Sequence, residues 1–309
     1  LDQDQAAGQA AFEQFATLQS EAQQQWASSG DQATTICHAD REVSAAEERL
    51  AAGNIAGAAA GYQAALDLSP GHAGALAGLA QTHYLQGDAP GALATVGQAT
   101  EAYPAYAEAW SRRGLYALVS GDDAKRDEAY GRFLEMIAQR PAQERLALTS
   151  RAIADLDRLV GEQPQHAPAM LEMLPRFRSF LDTIDDASDT YQYPRLYSDL
   201  ARVALLAGDA PLAEDLLRHS LTIDDRQPLA ETRLALTVLV QGRDASSEIS
   251  SLIEEINDPL WEESVSFDSF GRTDLLEMAA AEIAGYLAAH PDHTDAVAPL
   301  TDTIEGQGP

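Results

Sequence analysis

The chain has 309 residues, 45% hydrophobic and only 6% aromatic, rich in alanine and poor in β-branched runs, a mixture that favours helix and points to an all-α protein. Against 20 Lys and Arg stand 49 Asp and Glu, a formal net charge of −29 that repels phosphate backbones and anionic lipid and so argues against nucleic acid or a membrane surface as partner. Cys37 is the single cysteine, which excludes an internal disulfide or a cysteine cluster for metal, and no stretch approaches the roughly 20 apolar residues that span a bilayer.

The chain starts at Leu1 rather than methionine, which leads us to expect further sequence upstream and leaves periplasm and cytoplasm both open. Residues 2–28 are rich in glutamine and alanine, with Phe12, Phe15, Leu18, Ala22 and Trp26 roughly on one side of a helix. The stripe is short and lacks sustained heptads, so a cap on the following elements is favoured over a helix that drives homo-oligomer formation. Residues 1–38 are taken as this helix and its connection.

From residue 39 a repeat is visible. Gly53-Asn54, Ala58, Tyr62, Ala65 and Pro70 recur as Gly87-Asp88, Ala92, Val96, Ala99 and Pro104, an offset of 34 residues. Small residues at 58 and 92 let two helices close, the larger residue one turn on fills the groove, and proline stops the second helix. Glycine followed by an Asx residue suits a tight inter-helix turn, with glycine left-handed. A third unit has Trp110 and Gly114 in its first helix, Arg113 between them, and Gly121-Asp122 as its turn. Residues 123–127 read as a three-residue insertion, after which Ala129, Phe133, Met136 and Pro141 restore the pattern.

Several positions recurring together resemble the tetratricopeptide repeat family over about a third of the chain, in units at about 39–72, 73–106 and 107–143. The resemblance implies antiparallel helix pairs stacked as an α-solenoid or superhelix, with a concave face formed by the first helices that holds a protein or peptide. Carried onto this sequence, the partner-facing positions are Ser44 and Glu47, then Ala77, Gln81, Tyr84 and Leu85, then Ser111, Arg112 and Leu115. Family members that clamp acidic chaperone tails use lysine and asparagine there. Here Val43, Glu47, Ala77, Gln81 and Leu115 stand instead, so an apolar or basic partner is expected rather than an acidic one.

Further along, residues 144–190 diverge. Leu146, Ile153, Leu156 and Val160 have helical spacing, and Met170, Met173, Leu174, Phe177 and Phe180 form a broad stripe that Pro175 should break. The acidic run 182–189 reads as a surface linker. Within 191–258 the repeat returns in degenerate form through Tyr197, Leu200, Ala201, Gly208-Asp209, Ala213 and Leu217, with Pro228 three residues late, followed by a pair at 229–241 and 246–256. The block 259–290 combines an irregular segment containing Trp261, Phe267 and Phe270 with a capping helix at about 273–289, and 291–309 is expected to be a frayed tail.

Chemistry is sparsely signalled. His290-Pro291-Asp292-His293 is the one local grouping that resembles a metal site, but proline ending a helix is the habit of this chain, and polar residues after it are ordinary turn material. The run 182–189 lacks the order of a calcium loop, and Cys37-His38 are sequence neighbours that do not face each other, so Cys37 is read as packing. No nucleophile elbow, phosphate loop or H-E-x-x-H motif occurs. No catalytic residue, metal or cofactor is therefore assigned. A protein-binding scaffold or adaptor, of the kind used in a bacterial envelope or assembly system, is the expectation; the alternatives are the regulatory region of a larger enzyme and a self-assembling structural protein.

Overall fold

A computed structural model describes residues 34–184, 192–258 and 271–307; the N-terminal glutamine-rich segment, the irregular stretch with Trp261, Phe267 and Phe270, and most of the acidic run lie outside them. Among the described residues there are helices and turns and no strand. They divide into two compact units after Ala109.

In the first unit, α1 (34–51), α2 (Ile55–Leu68), α3 (Ala73–Leu85) and α4 (Ala89–Ala102) follow one another. The turns obey the glycine-Asx logic. Gly53 and Gly87 take φ of 76° and 82°, and the next residue caps the following helix, Asn54 accepting from the Gly57 N–H and Asp88 from the Gly91 N–H, both at 2.9 Å. Helix α3 packs against both α2 and α4. Alanine makes this possible: Ala58, Ala65, Ala92 and Ala99 are fully buried, and Ala39, Val43, Ala46, Tyr62 and Ala75 join Ala58 and Ala65 in one core cluster. The Tyr62 ring lies so close to Gly78 that a Cβ there would sit 2.3 Å from it.

Helix α5 (Ala107–Val119) crosses the division, and α6 (Asp123–Ala138) begins immediately after the turn at Gly121, φ 70°, capped by Asp122. The expected insertion at 123–127 is absent. Caps at 54, 88 and 122 keep the 34-residue step, so Arg126 occupies the position of Ala58 and Ala92, Tyr130 that of Tyr62 and Val96, and Phe133 that of Ala65 and Ala99. The extra residues lengthen the far end of α6, where Ile137 is buried and Met136 only partly so. Gly114 faces Tyr130 as Gly78 faces Tyr62 in the first unit, somewhat less tightly, a Cβ at 114 lying 2.7 Å from the ring.

Beyond α6 the pairs become irregular and then resume. Helix α7 (Ala142–Glu162) buries Leu146, Ile153, Leu156 and Val160. The stripe after it breaks into α8 (Ala167–Leu171) and α9 (Leu174–Leu181), with Pro175 in the first turn of α9, where its missing N–H costs nothing. The acidic run begins inside the fold rather than as a linker: Ile184 is buried and Asp182 accepts from the Tyr197 hydroxyl at 2.9 Å.

The second block contains α10 (Gln192–Leu206), α11 (Ala210–Ile223), α12 (Pro228–Val240) and α13 (Ser246–Ile256), with Gly208 and Gly242 again at positive φ. Helix α14 (Arg272–Ala289) packs on α12, and the expected frayed tail is instead α15 (Thr294–Gly306), which packs on α12 and α14 and buries Val297, Leu300 and Ile304. Those three residues at i, i+3 and i+7 are a helical stripe, which outweighs proximity to a terminus.

Candidate functional site

The nine expected partner-facing residues sort by exposure. Ser44, Glu47 and Leu85 are exposed, and Gln81, Tyr84, Ser111 and Arg112 are half-buried. Ala77 and Leu115 are buried and offer no side-chain surface, so both are withdrawn as contacts; each falls on the packed side of its helix. Ser44, Glu47, Gln81, Tyr84 and Leu85 belong to the first unit, on α1 and α3. Ser111 and Arg112 lie on α5 in the second.

Charge distinguishes the first unit. Between Leu50 and Ser111 there is no lysine or arginine, while Asp67, Asp88, Glu101 and Glu108 occur there, and Leu68, Leu85 and Tyr103 are exposed large hydrophobics. Arg113, in the position where the family usually has leucine, lies over the Trp110 ring at 5.1 Å and reaches Glu128 at 3.7 Å. Cys37 is exposed, not packed as expected, because it precedes Ala39, the first buried position of α1.

Three polar constellations in the second unit were not legible beforehand. Arg126, 2% exposed, bonds Asp127 at 2.9 Å, Asp123 and Glu172 at 2.8 Å and the Ala169 carbonyl at 3.3 Å, tying α6 to the α8 segment. Arg202 bonds Asp157 and, at 2.8 Å, Glu282; Arg233 bonds Glu282 and Asp199 at 3.0 Å and Ser198 at 2.9 Å. This network joins α7, α10, α12 and α14. Burial raises the Asp157 carboxyl above its usual range although Arg202 and Arg233 pull it down.

Glu231, in the first turn of α12, is 8% exposed. Ser251 on α13 donates to its Oε1 at 2.8 Å, and Oε2 has no hydrogen-bond partner among the described residues. Burial first, then the negative charges of Glu255, Asp225 and Glu254, push its carboxyl up to about 7 against the lowering effect of Ser251.

The histidines after α14 have structural partners. His290 reaches the Leu206 carbonyl at 3.0 Å, His293 the Tyr286 hydroxyl at 2.6 Å, and the two imidazoles stack at 5.6 Å. Burial pushes the Tyr286 hydroxyl up to about 12. No cluster of three or more metal-ligating side chains occurs among the described residues, and no helix among them is long and apolar enough to cross a membrane.

Comparison with known proteins places a tetratricopeptide repeat match at residues 49–116. No curated protein matches the chain. Among solved structures it is similar to a tetratricopeptide repeat protein from Parabacteroides merdae (13% identity, 87% of this chain and 99% of that one, TM-score 0.42) and to Pseudomonas aeruginosa pilF (13%, 89% and 100%, TM-score 0.41). It is also similar to a chain of the APC/C Cut9-Hcn1 hetero-tetramer (12%, TM-score 0.42), covering 86% of this chain but 42% of that one. With the 34-residue step, the glycine-Asx turns and the alanine-lined helix pairs already established, residues 49–116 are tetratricopeptide repeats.

Proposed function

We propose that this protein is a scaffold whose repeats hold a protein partner, and that the first unit takes a basic or apolar helix or extended peptide on the side bearing Ser44, Glu47, Gln81, Tyr84 and Leu85. The observation that carries this is the absence of any lysine or arginine from residue 50 through 111, beside exposed Leu85 and exposed Glu47. Apolar side chains supply burial, and a net anionic surround favours a cationic guest over an acidic one. Residues 34–109 contain eight carboxylates against two arginines, so an acidic peptide meets net repulsion.

The test is a panel of amphipathic peptides sharing one apolar face and carrying lysine, glutamine or glutamate on the other. Binding to the full chain should fall in that order. Leu85→Glu and Glu47→Arg, both at exposed sites, should each weaken the lysine peptide about five-fold or more, the factor that about 1 kcal/mol represents. Tightest binding by the glutamate peptide, or unchanged binding by both variants, would overturn the proposal.

A further inference from the structure

Helix α13 is the least anchored helix of the second block. Of its own side chains it buries only Leu252 and Ile256, against three in α15 and five in α14, and it rests mainly on α12. Some of its polar ties are surface ion pairs from exposed arginines, Arg218 to Glu248 at 3.1 Å and Arg226 to Asp258 at 3.2 Å, and such pairs contribute little. Ser251, by contrast, reaches the buried Glu231 of α12 at 2.8 Å.

Glu231 lies in the seam between the two helices with no cation beside it. Beyond Ser251 it has no partner among the described residues, and Oε2 is shut off from water. The charges that act on it are Glu254 and Glu255 from α13 and Asp225 from the α11–α12 connection, all negative. The arginines of the elements packed on α12 are committed elsewhere: Arg195 and Arg202 of α10 to Asp199 and Glu282, Arg218 of α11 to Glu214 and Glu248, Arg226 to Glu255 and Asp258, and Arg272 of α14 to Asn257 and Gln307. Arg233 of α12 itself pairs with Glu282 and Asp199. Neither α13 nor α15 contains a lysine or arginine, and Glu277 of α14 and Asp295, Asp302 and Glu305 of α15 are exposed.

A neutral carboxyl in that seam keeps Ser251 and the packing around it, whereas a carboxylate there has neither solvent nor a counter-charge. Once the proton leaves, the least costly relief is to admit water. The helix that gives way is α13, because it is held least and carries Glu254 and Glu255 off with it. We propose that Glu231 is a proton-operated latch, which holds α13 on α12 while protonated and lets α13 open locally when ionised, uncovering Leu252 and Ile256 while α10, α11 and α12 stay folded.

The place of Glu231 in the first turn of α12 favours the anion. Burial and the three carboxylates outweigh this and push the closed-state carboxyl up to about 7, against 4.5 when unconstrained. The closed form therefore binds the proton more tightly than the open form does. Closure is fully favoured below about pH 4.5, the open fraction grows as pH rises toward about 7, and above that it levels off.

The test is amide hydrogen exchange of the full chain from about pH 5 to about pH 8, corrected for intrinsic exchange and repeated in low urea. Protection of the amides from Leu252 to Ile256 should fall about ten-fold or more over that range, with a urea dependence well below that of the amides from Leu200 to Ala204 in α10. Glu231→Gln keeps the shape and the acceptor for Ser251, and in that variant α13 protection should stay level with pH. Level protection in the wild type, the same fall in Glu231→Gln, or a urea dependence of α13 equal to that of α10, which means that the unit opens only as a whole, would overturn the proposal. All of these readouts lie in the second unit, so they stand or fall apart from the peptide-holding reading.

Discussion

Glu231→Gln should stabilise the protein in alkali and leave it nearly unchanged in acid. The carboxyl titrates near 4.5 when unconstrained and near 7 in the fold, where burial and three neighbouring carboxylates oppose its charge. The folded chain therefore binds this proton more tightly than the unfolded chain does. The stability that follows is complete below about pH 4.5 and is lost as pH rises through about 7. A displacement of that size is worth roughly 3 kcal/mol on the alkaline side, and the side chain is buried enough that solvent screening removes little of it. Glutamine keeps the shape and the acceptor for Ser251 without ever carrying the charge. Urea unfolding followed by circular dichroism at about pH 5 and about pH 8 gives the comparison, and the other carboxylates cancel in the difference between wild type and variant. The variant should gain roughly 2–3 kcal/mol over wild type at the higher pH and little at the lower. A wild-type-to-variant difference that is the same at both pH values would refute the reasoning, because a packing effect alone carries no proton.

Two further substitutions probe the repeats. Gly78→Ala places a methyl 2.3 Å from the Tyr62 ring and should cost about 1–3 kcal/mol by overpacking, although alanine is the better helix former; thermal melting of the variant checks it, and a raised Tm would contradict the contact. Arg126→Ala restores the residue found at 58 and 92, yet it should destabilise by about 2 kcal/mol. Asp127, Glu172 and the Ala169 carbonyl lose their donor and a cavity opens beneath them, while Arg126→Met, which keeps the volume, should recover part of the loss in the same melting assay.

The first two repeats are legible because each position has a single physical job. Alanine at 58, 65, 92 and 99 is small for one reason, and glycine at 53 and 87 is left-handed for one reason, so composition at fixed offsets carries the structure. The third repeat misled at Arg126. A charged residue in an alanine column looks like a break in the repeat, and inserting three residues recovered alanine at 129 and proline at 141. The caps at 54, 88 and 122 hold the step at 34 instead, and the arginine is accommodated because its partners, apart from Asp123 and Asp127, arrive from residues 169 and 172. That kind of tertiary rescue leaves no local trace. The C-terminal helix is a different case: nearness to the chain end argues for a frayed tail at 291–309, whereas the spacing of Val297, Leu300 and Ile304 gives a helical stripe that the fold buries.

The same contrast separates the surface positions from the buried network. Surface positions on α1 and α3 can be counted from the repeat, and only the buried members, Ala77 in the first unit and Leu115 in the second, needed coordinates to be removed. The network of Asp157, Arg202, Arg233 and Glu282 could not be counted from any period. Its members come from α7, α10, α12 and α14, which are separated in the chain by the broken α8 and α9 and by α11 and α13. Arg202 and Arg233 both bond Glu282, 80 and 49 residues further along the chain, and no local spacing of charges carries a pairing at that distance.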